Sequence, residues 1–192
     1  MVFIPNYNVS AAGIIIPGSD LSEQISTAGT EASGTGNMKF ALNGALTIGT
    51  LDGANIEIKD EVGEDNIFIF GLNAEEAEHL HLRGYDPWRY YNGNADLKRV
   101  LDMVTEGFFS PDEPDRYRPV VDKLLRGGDP YLLLADFASY LESQERVDAA
   151  FVDVQDWMRR AIINVANMGR FSSDRSIHSY AAYIWEVAPV GV

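Results

Sequence analysis

The hydrophobic pattern of the first third of the chain consists of short apolar runs separated by glycine, proline and polar turns. The apolar run 1–5 has no polar residues before it. It predicts an internal β-strand, which indicates that the sequence begins partway through a larger fold. Residues 9–16 predict a short apolar helix that ends at a Pro-Gly pair. Two further short strands are predicted at 45–50 and 66–70, each followed by a glycine or an Asp-Gly turn.

Beyond residue 72 the pattern changes to apolar residues at helical spacing. One stripe predicts a helix with Asp153 and Asp156 near its start and Gly169 after its end. The stripe consists of Val154, Trp157, Met158, Ala161, Ile162 and Val165. We therefore predict an α/β segment over residues 1–72 and a mostly helical part of the same domain over residues 73–192.

A second stripe predicts a final helix, for which Ser172 or Ser173 supplies the N-cap. Its members are Ile177, Tyr180, Ala181, Ile184 and Trp185. The large aromatic residues of the two stripes (Trp157, Tyr180 and Trp185) are predicted to lie in the core, because apolar residues at helical spacing form the buried face of a helix. We assign no ligand to them.

Composition and charge narrow the class of protein. The 192 residues are 46% hydrophobic and 23% charged, which is typical of a soluble globular protein. The formal net charge of −14 argues against nucleic acid or an anionic membrane as a partner. The absence of cysteine excludes disulfides and thiolate metal sites, and no apolar stretch approaches the roughly 20 residues of a membrane span. No secretion signal is visible, so we predict a cytoplasmic protein.

The histidines do not indicate a metal centre. His79 and His81 form one close pair, but they lie beside Glu78 in an acidic stretch with helical character. Metal sites are rare, and a solvated helical face is the far more common arrangement for such residues. We therefore predict no metal site.

One stretch dense in glycine, serine and threonine, residues 31–40, indicates chemistry. Its small residues let a ligand approach the backbone closely, and a helix that starts near residues 34–36 directs free N–H groups and the Thr35 hydroxyl towards a phosphate. The dinucleotide-binding fingerprint requires glycine at its first, third and sixth positions. Gly34 and Gly36 match the first and third, but the sixth position is Lys39, so the fingerprint does not fit. The Walker loop does not fit either, because its lysine directly follows a glycine, whereas Lys39 follows Met38. From the residues alone, a tight turn without a ligand stays an open alternative.

Lys39 differs from the other lysines of the chain. On a helix it shares a face with Thr35 and Gly36, about 4.5 Å along the axis from Gly36. Apolar residues flank it, whereas the other three lysines have polar, charged neighbours. We expect Lys39 to be buried, and burial favours the free amine that forms a Schiff base with pyridoxal phosphate. A lysine that holds a phosphate in another kind of enzyme is an equally compatible interpretation.

Two long stretches of the sequence form a distinctive motif. They are Ser-Glu-Gln-Ile-Ser-Thr-Ala-Gly-Thr-Glu-Ala-Ser-Gly-Thr-Gly-Asn-Met-Lys at 22–39 and Asn-Gly-Ala-Leu-Thr-Ile-Gly-Thr-Leu-Asp-Gly-Ala-Asn-Ile-Glu at 43–57. Together they resemble the cofactor signature of the α-glucan (glycogen, starch and maltodextrin) phosphorylases, of which bacterial members match best. Shorter stretches agree, at 66–71, 107–111, 135–136 and 171–175. The resemblance covers essentially the whole chain and is far more specific than a glycine pattern.

The resemblance implies a pyridoxal 5'-phosphate site. Lys39 would carry the cofactor, while Thr35 and Gly36 would hold its phosphate. Tyr7 would line the cofactor pocket. Some members have an arginine after that tyrosine, near the phosphates; the residue here is Asn8, which puts one phosphate contact in doubt. In the family the cofactor phosphate takes part in proton transfer with the substrate phosphate, so Lys39, the one catalytic-site residue that we predict, would be an anchor rather than a base.

The resemblance also implies a glucose-binding loop and a reaction. Glu31, Ser33 and Gly34 match family positions that contact hydroxyls of the transferred glucose. The implied reaction cleaves a terminal α-1,4-glucosidic bond with inorganic phosphate. It retains the anomeric configuration, passes through an oxocarbenium-like transition state and yields α-glucose 1-phosphate. Four further polar residues are expected to brace turns and helix caps: Asn37, Asn43, Asp52 and Asn55.

The implied fold is α/β: part of the C-terminal Rossmann-like domain of a GT-B type glycosyltransferase, followed by a mostly helical region. The implied partners are an α-1,4-glucan, inorganic phosphate and the missing N-terminal part of the enzyme. A second copy is a further implied partner, because family members are commonly homodimers. Family enzymes are several times longer, so we expect this chain to be inactive alone.

Two interpretations of the function stay open. The chain is either a piece of an enzyme or a binding or assembly domain that keeps the phosphorylase fold without catalysis. The intact cofactor signature favours the first, since a binding module has no need of Lys39. A different pyridoxal phosphate enzyme, such as a transaminase, is disfavoured because the surrounding sequence matches phosphorylases.

Overall fold

The computed structural model describes residues 2–188, in which three strands and ten α-helices are formed. The strands are β1 (Leu21–Gln24), β2 (Leu46–Gly49) and β3 (Phe68–Ile69). The helices are α1 (Val9–Ile15), α2 (Gly36–Leu42), α3 (Asn55–Val62), α4 (Ala74–Leu82), α5 (Pro87–Gly93), α6 (Ala95–Thr105), α7 (Arg118–Leu125), α8 (Leu133–Val152), α9 (Val154–Asn167) and α10 (Ser173–Tyr180). Short 3-10 turns occupy Ile16–Gly18, Glu64–Asn66 and Met168–Phe171, and a π-helical turn at Ala181–Trp185 continues α10.

The three strands form one parallel sheet in the order β1-β2-β3. Leu21 pairs with Leu46, and Ile48 pairs with Phe68. Because α2 lies in the first connection and α3 in the second, residues 21–69 form a β-α-β-α-β unit, the arrangement that parallel strands require. The predicted α/β class is therefore confirmed for this part of the chain.

The sheet is covered on both faces by apolar side chains, as parallel sheets usually are. All residues of β2 are buried. The apolar cluster on one face contains Leu46, Ile48, Phe68 and Phe70 from the sheet region, with Val147 of α8 and Trp157 of α9. The second cluster joins Ala41, Ile58, Val62, Ile67 and Met168, with Ile69 packed against it. Alternation along residues 67–70 thus directs side chains into the two clusters in turn.

A third apolar cluster lies among the helices of the second half. It contains Leu97 and Leu101 of α6, Val121 and Leu125 of α7, and Leu134 of α8. Each of these side chains stabilises the fold by about 1.5–3 kcal/mol when fully buried. Since α8 contributes to this cluster and to the one on the sheet, it connects the helical region to the strands.

Most of the predicted elements are present. The predicted helix at 9–16 is α1, and the predicted strands at 45–50 and 66–70 are β2 and β3, each shorter than predicted. Asp153 caps α9, its side chain accepting the Asp156 N–H, and Ser172 caps α10. β1 and α3 are elements that the apolar pattern did not predict. His79 and His81 are exposed on α4, as expected of a solvated helical face.

The predicted N-terminal strand is not formed. Residues 2–4 have no regular structure, and the side chains of Val2 and Phe3 are exposed. A strand needs a neighbouring ladder for its N–H and C=O groups, and within residues 2–188 β1 pairs only with β2. The apolar character of residues 2–4 does not by itself provide the neighbouring strand that a β-strand needs.

The core prediction for the aromatic residues is correct for one of the three. Trp157 is 7% exposed and packs between Phe68 and Phe151. Tyr180 and Trp185 are about half exposed, and they pack against each other with ring centroids 5.9 Å apart. Their helical spacing gives a shared face, but no described element covers that face.

None of the helices in residues 2–188 combines the length and the hydropathy that a membrane span requires.

Candidate functional site

The glycine-rich stretch forms the loop between β1 and α2 and the first turn of α2. The helix begins at Gly36 with Thr35 as its N-cap residue, which confirms the predicted helix start near residues 34–36. Gly34 has a φ of +77°, a conformation that glycine adopts readily and other residues rarely. This backbone places Glu31, Ser33 and Gly34 directly before the helix that carries Lys39.

Lys39 and Thr35 are brought together by the helix. The Lys39 Nζ donates to the Thr35 Oγ1 at 3.4 Å, and the Lys39 N–H donates to the Thr35 carbonyl at 3.2 Å. The Thr35 hydroxyl makes no capping hydrogen bond to the helix, so it is available to a ligand. The predicted shared face of Lys39 and Thr35 is therefore confirmed.

The expectation that Lys39 is buried is wrong for this chain. Its side chain is exposed, whereas Asn37 and Ala41 are the buried residues of α2. Successive residues are rotated by about 100° around a helix, so Lys39 lies roughly opposite the face that Asn37 and Ala41 share. The apolar neighbours of Lys39 in the sequence do not surround it in space.

Two buried asparagines connect α2 to the sheet. The Asn37 Nδ2 donates to the Asn55 Oδ1 at 2.9 Å, and the Asn55 Nδ2 donates to the carbonyls of Thr50 (3.0 Å) and Gln24 (3.4 Å). Asn43 caps the other end of α2, where its Nδ2 donates to the Lys39 carbonyl at 2.8 Å. These residues brace turns and helix ends, as predicted.

Asp52 holds the loop that carries Glu31. The N–H groups of Gly29 and Glu31 donate to its two carboxylate oxygens at 2.8 Å and 2.9 Å. The next residues also contact the loop, because the Ala54 N–H donates to the Ser33 carbonyl at 2.7 Å. The predicted bracing role of Asp52 is confirmed.

The side chains of Glu31 and Ser33 lie at the protein surface. The Ser33 N–H donates to the Glu31 Oε1 at 3.3 Å, and the Ser33 hydroxyl donates to the Gly34 carbonyl at 3.2 Å. Both side chains are exposed. A carboxylate and a hydroxyl presented together in this way match the alternating donors and acceptors of a polyol.

Tyr7 is not part of the hydrogen-bonded group around Lys39 in the described residues. Its side chain is 60% exposed, and no hydrogen bond among residues 2–188 joins it to Lys39, Thr35 or Gly36. Asn8 has a structural role here, since its Oδ1 accepts the Ala11 N–H at 3.1 Å and caps α1.

Comparison with known proteins identifies the family. The family model for carbohydrate phosphorylases matches residues 1–187. This chain belongs to the carbohydrate phosphorylase family. It is 57% identical over 190 residues to a glycogen phosphorylase of Synechocystis sp., with 99% of this chain and 22% of that protein covered. It is 56% identical to a glycogen phosphorylase of Haemophilus influenzae (99% and 23% covered) and 51% identical to the muscle form of glycogen phosphorylase of Bos taurus (98% and 22% covered). The chain thus spans less than a quarter of the length of these curated relatives.

This phosphorylase chain also has a largely apolar cavity of about 290 Å³ at the carboxyl ends of the strands. Ile25, Thr50 and Phe70, which directly follow β1, β2 and β3, line it together with residues of the loop before α8 and of α8 itself. Open parallel sheets commonly bind ligands at this edge. The hydrophobic pattern did not predict the cavity, because its wall combines residues from distant parts of the chain.

Asp136 is the carboxylate in the lining of this cavity. Burial raises the pKa of its carboxyl above the ordinary value, the N–H of Leu72 lowers it, and the negative charges of Asp129 and Glu76 raise it further. The Leu72 N–H donates to the Asp136 Oδ1 at 2.8 Å. The phosphorylase-like stretch 135–136 marks this residue in the sequence, but its burial follows only from the packing of α8 on the sheet.

Proposed function

We propose that this chain is the C-terminal part of an α-glucan phosphorylase that carries pyridoxal phosphate on Lys39. The reaction is the cleavage of terminal α-1,4-glucosidic bonds of glycogen or maltodextrin by inorganic phosphate, which yields α-glucose 1-phosphate. The observation that carries this proposal is the position of the Lys39 amine beside the Thr35 hydroxyl, at the end of the loop that presents Glu31 and Ser33. Relatives named glycogen phosphorylase match this chain along nearly its whole length.

The residues around Lys39 fit a pyridoxal phosphate. An exposed primary amine on a helix is accessible to the aldehyde of the cofactor. The Thr35 hydroxyl, which accepts from the Lys39 Nζ, can donate its own proton to one of the phosphate oxygens. Gly36 has no side chain at the first turn of α2, which leaves its backbone N–H accessible to a phosphate oxygen. When bound, the cofactor supplies a phosphate that exchanges a proton with the substrate phosphate. Lys39 anchors it, and Thr35 and Gly36 orient it.

Glu31, Ser33 and Gly34 are proposed to bind the glucosyl unit. The Glu31 carboxylate accepts hydrogen bonds from sugar hydroxyls, and the Ser33 hydroxyl both donates and accepts. Gly34 lets the sugar approach the backbone, because it has no side chain at the turn before α2. Tyr7 is proposed to line the cofactor pocket in the complete enzyme.

Residues 1–72 are proposed to be part of the C-terminal Rossmann-like domain of a GT-B type glycosyltransferase, and the mostly helical region 73–192 is proposed to belong to the same domain. The parallel β-α-β-α-β unit and the packing of α8 and α9 on it support this division. Because the chain spans less than a quarter of its relatives, we expect no appreciable phosphorylase activity from the chain alone. The complete enzyme is proposed to be a cytoplasmic homodimer whose N-terminal part supplies the other side of the cleft.

Borohydride trapping tests the cofactor assignment. The chain is incubated with pyridoxal phosphate, reduced and digested, and the modified lysine is located by mass spectrometry. We expect the adduct on Lys39, with Lys59, Lys98 and Lys123 as internal controls and Lys39→Arg as the matched variant that abolishes it. The same trapping is done on the full-length enzyme, with glucose 1-phosphate release from maltodextrin and phosphate as the activity assay. A full-length enzyme that is active and unlabelled at Lys39 would overturn the assignment.

A further inference from the structure

The loop that carries the proposed glucose-binding residues has no regular structure of its own. One short segment, residues 50–55 between β2 and α3, holds it; we call this segment the brace. The Thr50 Oγ1 donates to the Ser26 carbonyl at 2.6 Å, near the start of the loop. At the other end, the side chain of Asn55 accepts from Asn37 on α2 at 2.9 Å. The middle of the loop contacts the middle of the brace.

Asp52 is the centre of the brace. Its side chain is 4% exposed, and its two oxygens each accept one backbone N–H, from Gly29 and from Glu31. No ion pair among residues 2–188 includes Asp52, so these amide groups are the observed partners of its charge. Hydrogen bonds to an ionised acceptor are roughly twice as strong as neutral ones. Two such bonds, on either side of Thr30, fix the orientation of the backbone from which the Glu31 side chain extends.

A second contact in the brace fixes the position of Ser33. The Ala54 N–H donates to the Ser33 carbonyl at 2.7 Å. Gly53 lies against the same carbonyl so closely that an added Cβ would be 2.6 Å from the Ser33 oxygen and 3.0 Å from the Glu31 Cγ. The brace therefore holds the loop by hydrogen bonds at both Glu31 and Ser33, and Gly53 adds a close backbone contact at Ser33.

We propose that Asp52 is a positioning residue of the substrate site. It holds the Gly29–Glu31 backbone so that the Glu31 carboxylate and the neighbouring Ser33 are aimed at the hydroxyls of the glucosyl unit. This inference rests on the proposed function, because it assigns Asp52 a role in binding that substrate. Asp52 acts through the backbone of the loop, and Lys39 and Thr35 are outside its contacts.

The Asp52→Asn variant of the full-length enzyme tests the role. An asparagine side chain keeps the shape, but its NH₂ group cannot accept from one of the two N–H groups. The assay is run in the direction of glucan synthesis. We expect the KM for glucose 1-phosphate to rise about tenfold, while kcat stays within about threefold of wild type. This pattern is expected because the lost interaction is present in both the ground state and the transition state. Asp148→Asn is the control, because Asp148 is an exposed residue of α8. Pyridoxal phosphate content at Lys39 is expected to be unchanged.

Amide hydrogen exchange gives a readout that does not depend on activity. In Asp52→Asn, exchange at the Gly29 and Glu31 amides is expected to become about tenfold faster. Gly53→Ala perturbs the same loop from the second contact and is expected to raise KM in the same direction.

Every result that differs from these expectations overturns a defined part of the proposal. Faster exchange with an unchanged KM would mean that the brace is structural and does not position substrate. Unchanged exchange would show that Asp52 does not hold the loop. A lower kcat with lost cofactor and an unchanged KM would assign Asp52 to general stability. An inactive wild-type full-length enzyme would overturn the proposed function itself, while exchange still reports on the brace.

Discussion

Gly49 is the position where the structure predicts the clearest steric effect of a single methyl group. It is the buried last residue of β2, between β1 and the brace. A Cβ added there would be 2.6 Å from the Gln24 carbonyl oxygen and 2.7 Å from the Asn55 Nδ2. Neither atom is at the free end of a flexible side chain, since both take part in the hydrogen bonds that connect β1 to the brace. The Gly49→Ala change must therefore displace the backbone of β1 or break those hydrogen bonds.

The size of the effect follows from these contacts. Overpacking of a close-packed interior costs about 1–3 kcal/mol. Disruption of the Asn55 hydrogen bonds adds about 1 kcal/mol. We therefore expect Gly49→Ala to lower the free energy of unfolding by about 2–4 kcal/mol, a large fraction of the stability of a typical domain.

Urea denaturation followed by circular dichroism measures this loss. With a slope of about 2 kcal/mol per molar urea, the midpoint is expected to fall by about 1–2 M. Gly169→Ala is the matched control, because its added Cβ would meet no atom within 4 Å, and we expect its stability to stay within about 0.5 kcal/mol of wild type. Equal midpoints for the two variants would refute the steric argument and mean that β1 and the brace yield at little cost.

Two further predictions concern pH and helix capping. Because burial raises the pKa of Asp136, the folded chain binds this proton more tightly than the unfolded chain, and stability is lost as the pH rises above the ordinary value of 3.8. Asp136→Asn removes that loss, so the difference in unfolding free energy should grow in favour of the variant between acidic and neutral pH; a pH-independent difference would contradict this. In α4, Asn73 and Glu76 each accept the other's backbone N–H at 2.9 Å, so Asn73→Ala should cost about 1 kcal/mol of unfolding free energy, measured by urea denaturation, and an unchanged midpoint would argue against the capping box.

The sequence predicted those elements whose own residues determine them. The run Ala-Leu-Thr-Ile-Gly-Thr at 45–50 predicts a short strand, and β2 forms within it. By contrast, β1 contains Ser22, Glu23 and Gln24, which do not form an apolar pattern. Its strand conformation depends on the ladder that it forms with β2, and such pairing is not encoded in four residues read alone.

In the candidate site, too, local features could be predicted from the sequence, whereas contacts between distant segments could not. The glycine-rich stretch and the start of α2 could be predicted, because a turn and a helix start are local features. The exposure of Lys39 could not, because it depends on which face of α2 packs on the sheet. The contact of Asp52 with Gly29 and Glu31 joins residues more than 20 positions apart, so its geometry became visible only in the folded chain.

The order of the elements along the chain has a consequence for biosynthesis. All three described strands and the brace have been synthesised once residue 70 has been added, but one face of these strands is covered by Val147 of α8 and Trp157 of α9. At a translation rate of roughly 5–20 residues per second, the ribosome needs roughly 4 to 17 s to add the intervening residues. During that interval Leu46, Ile48, Phe68 and Phe70 are synthesised but lack their helical cover. The nascent chain thus presents a defined apolar surface that a chaperone can bind before the last helices arrive.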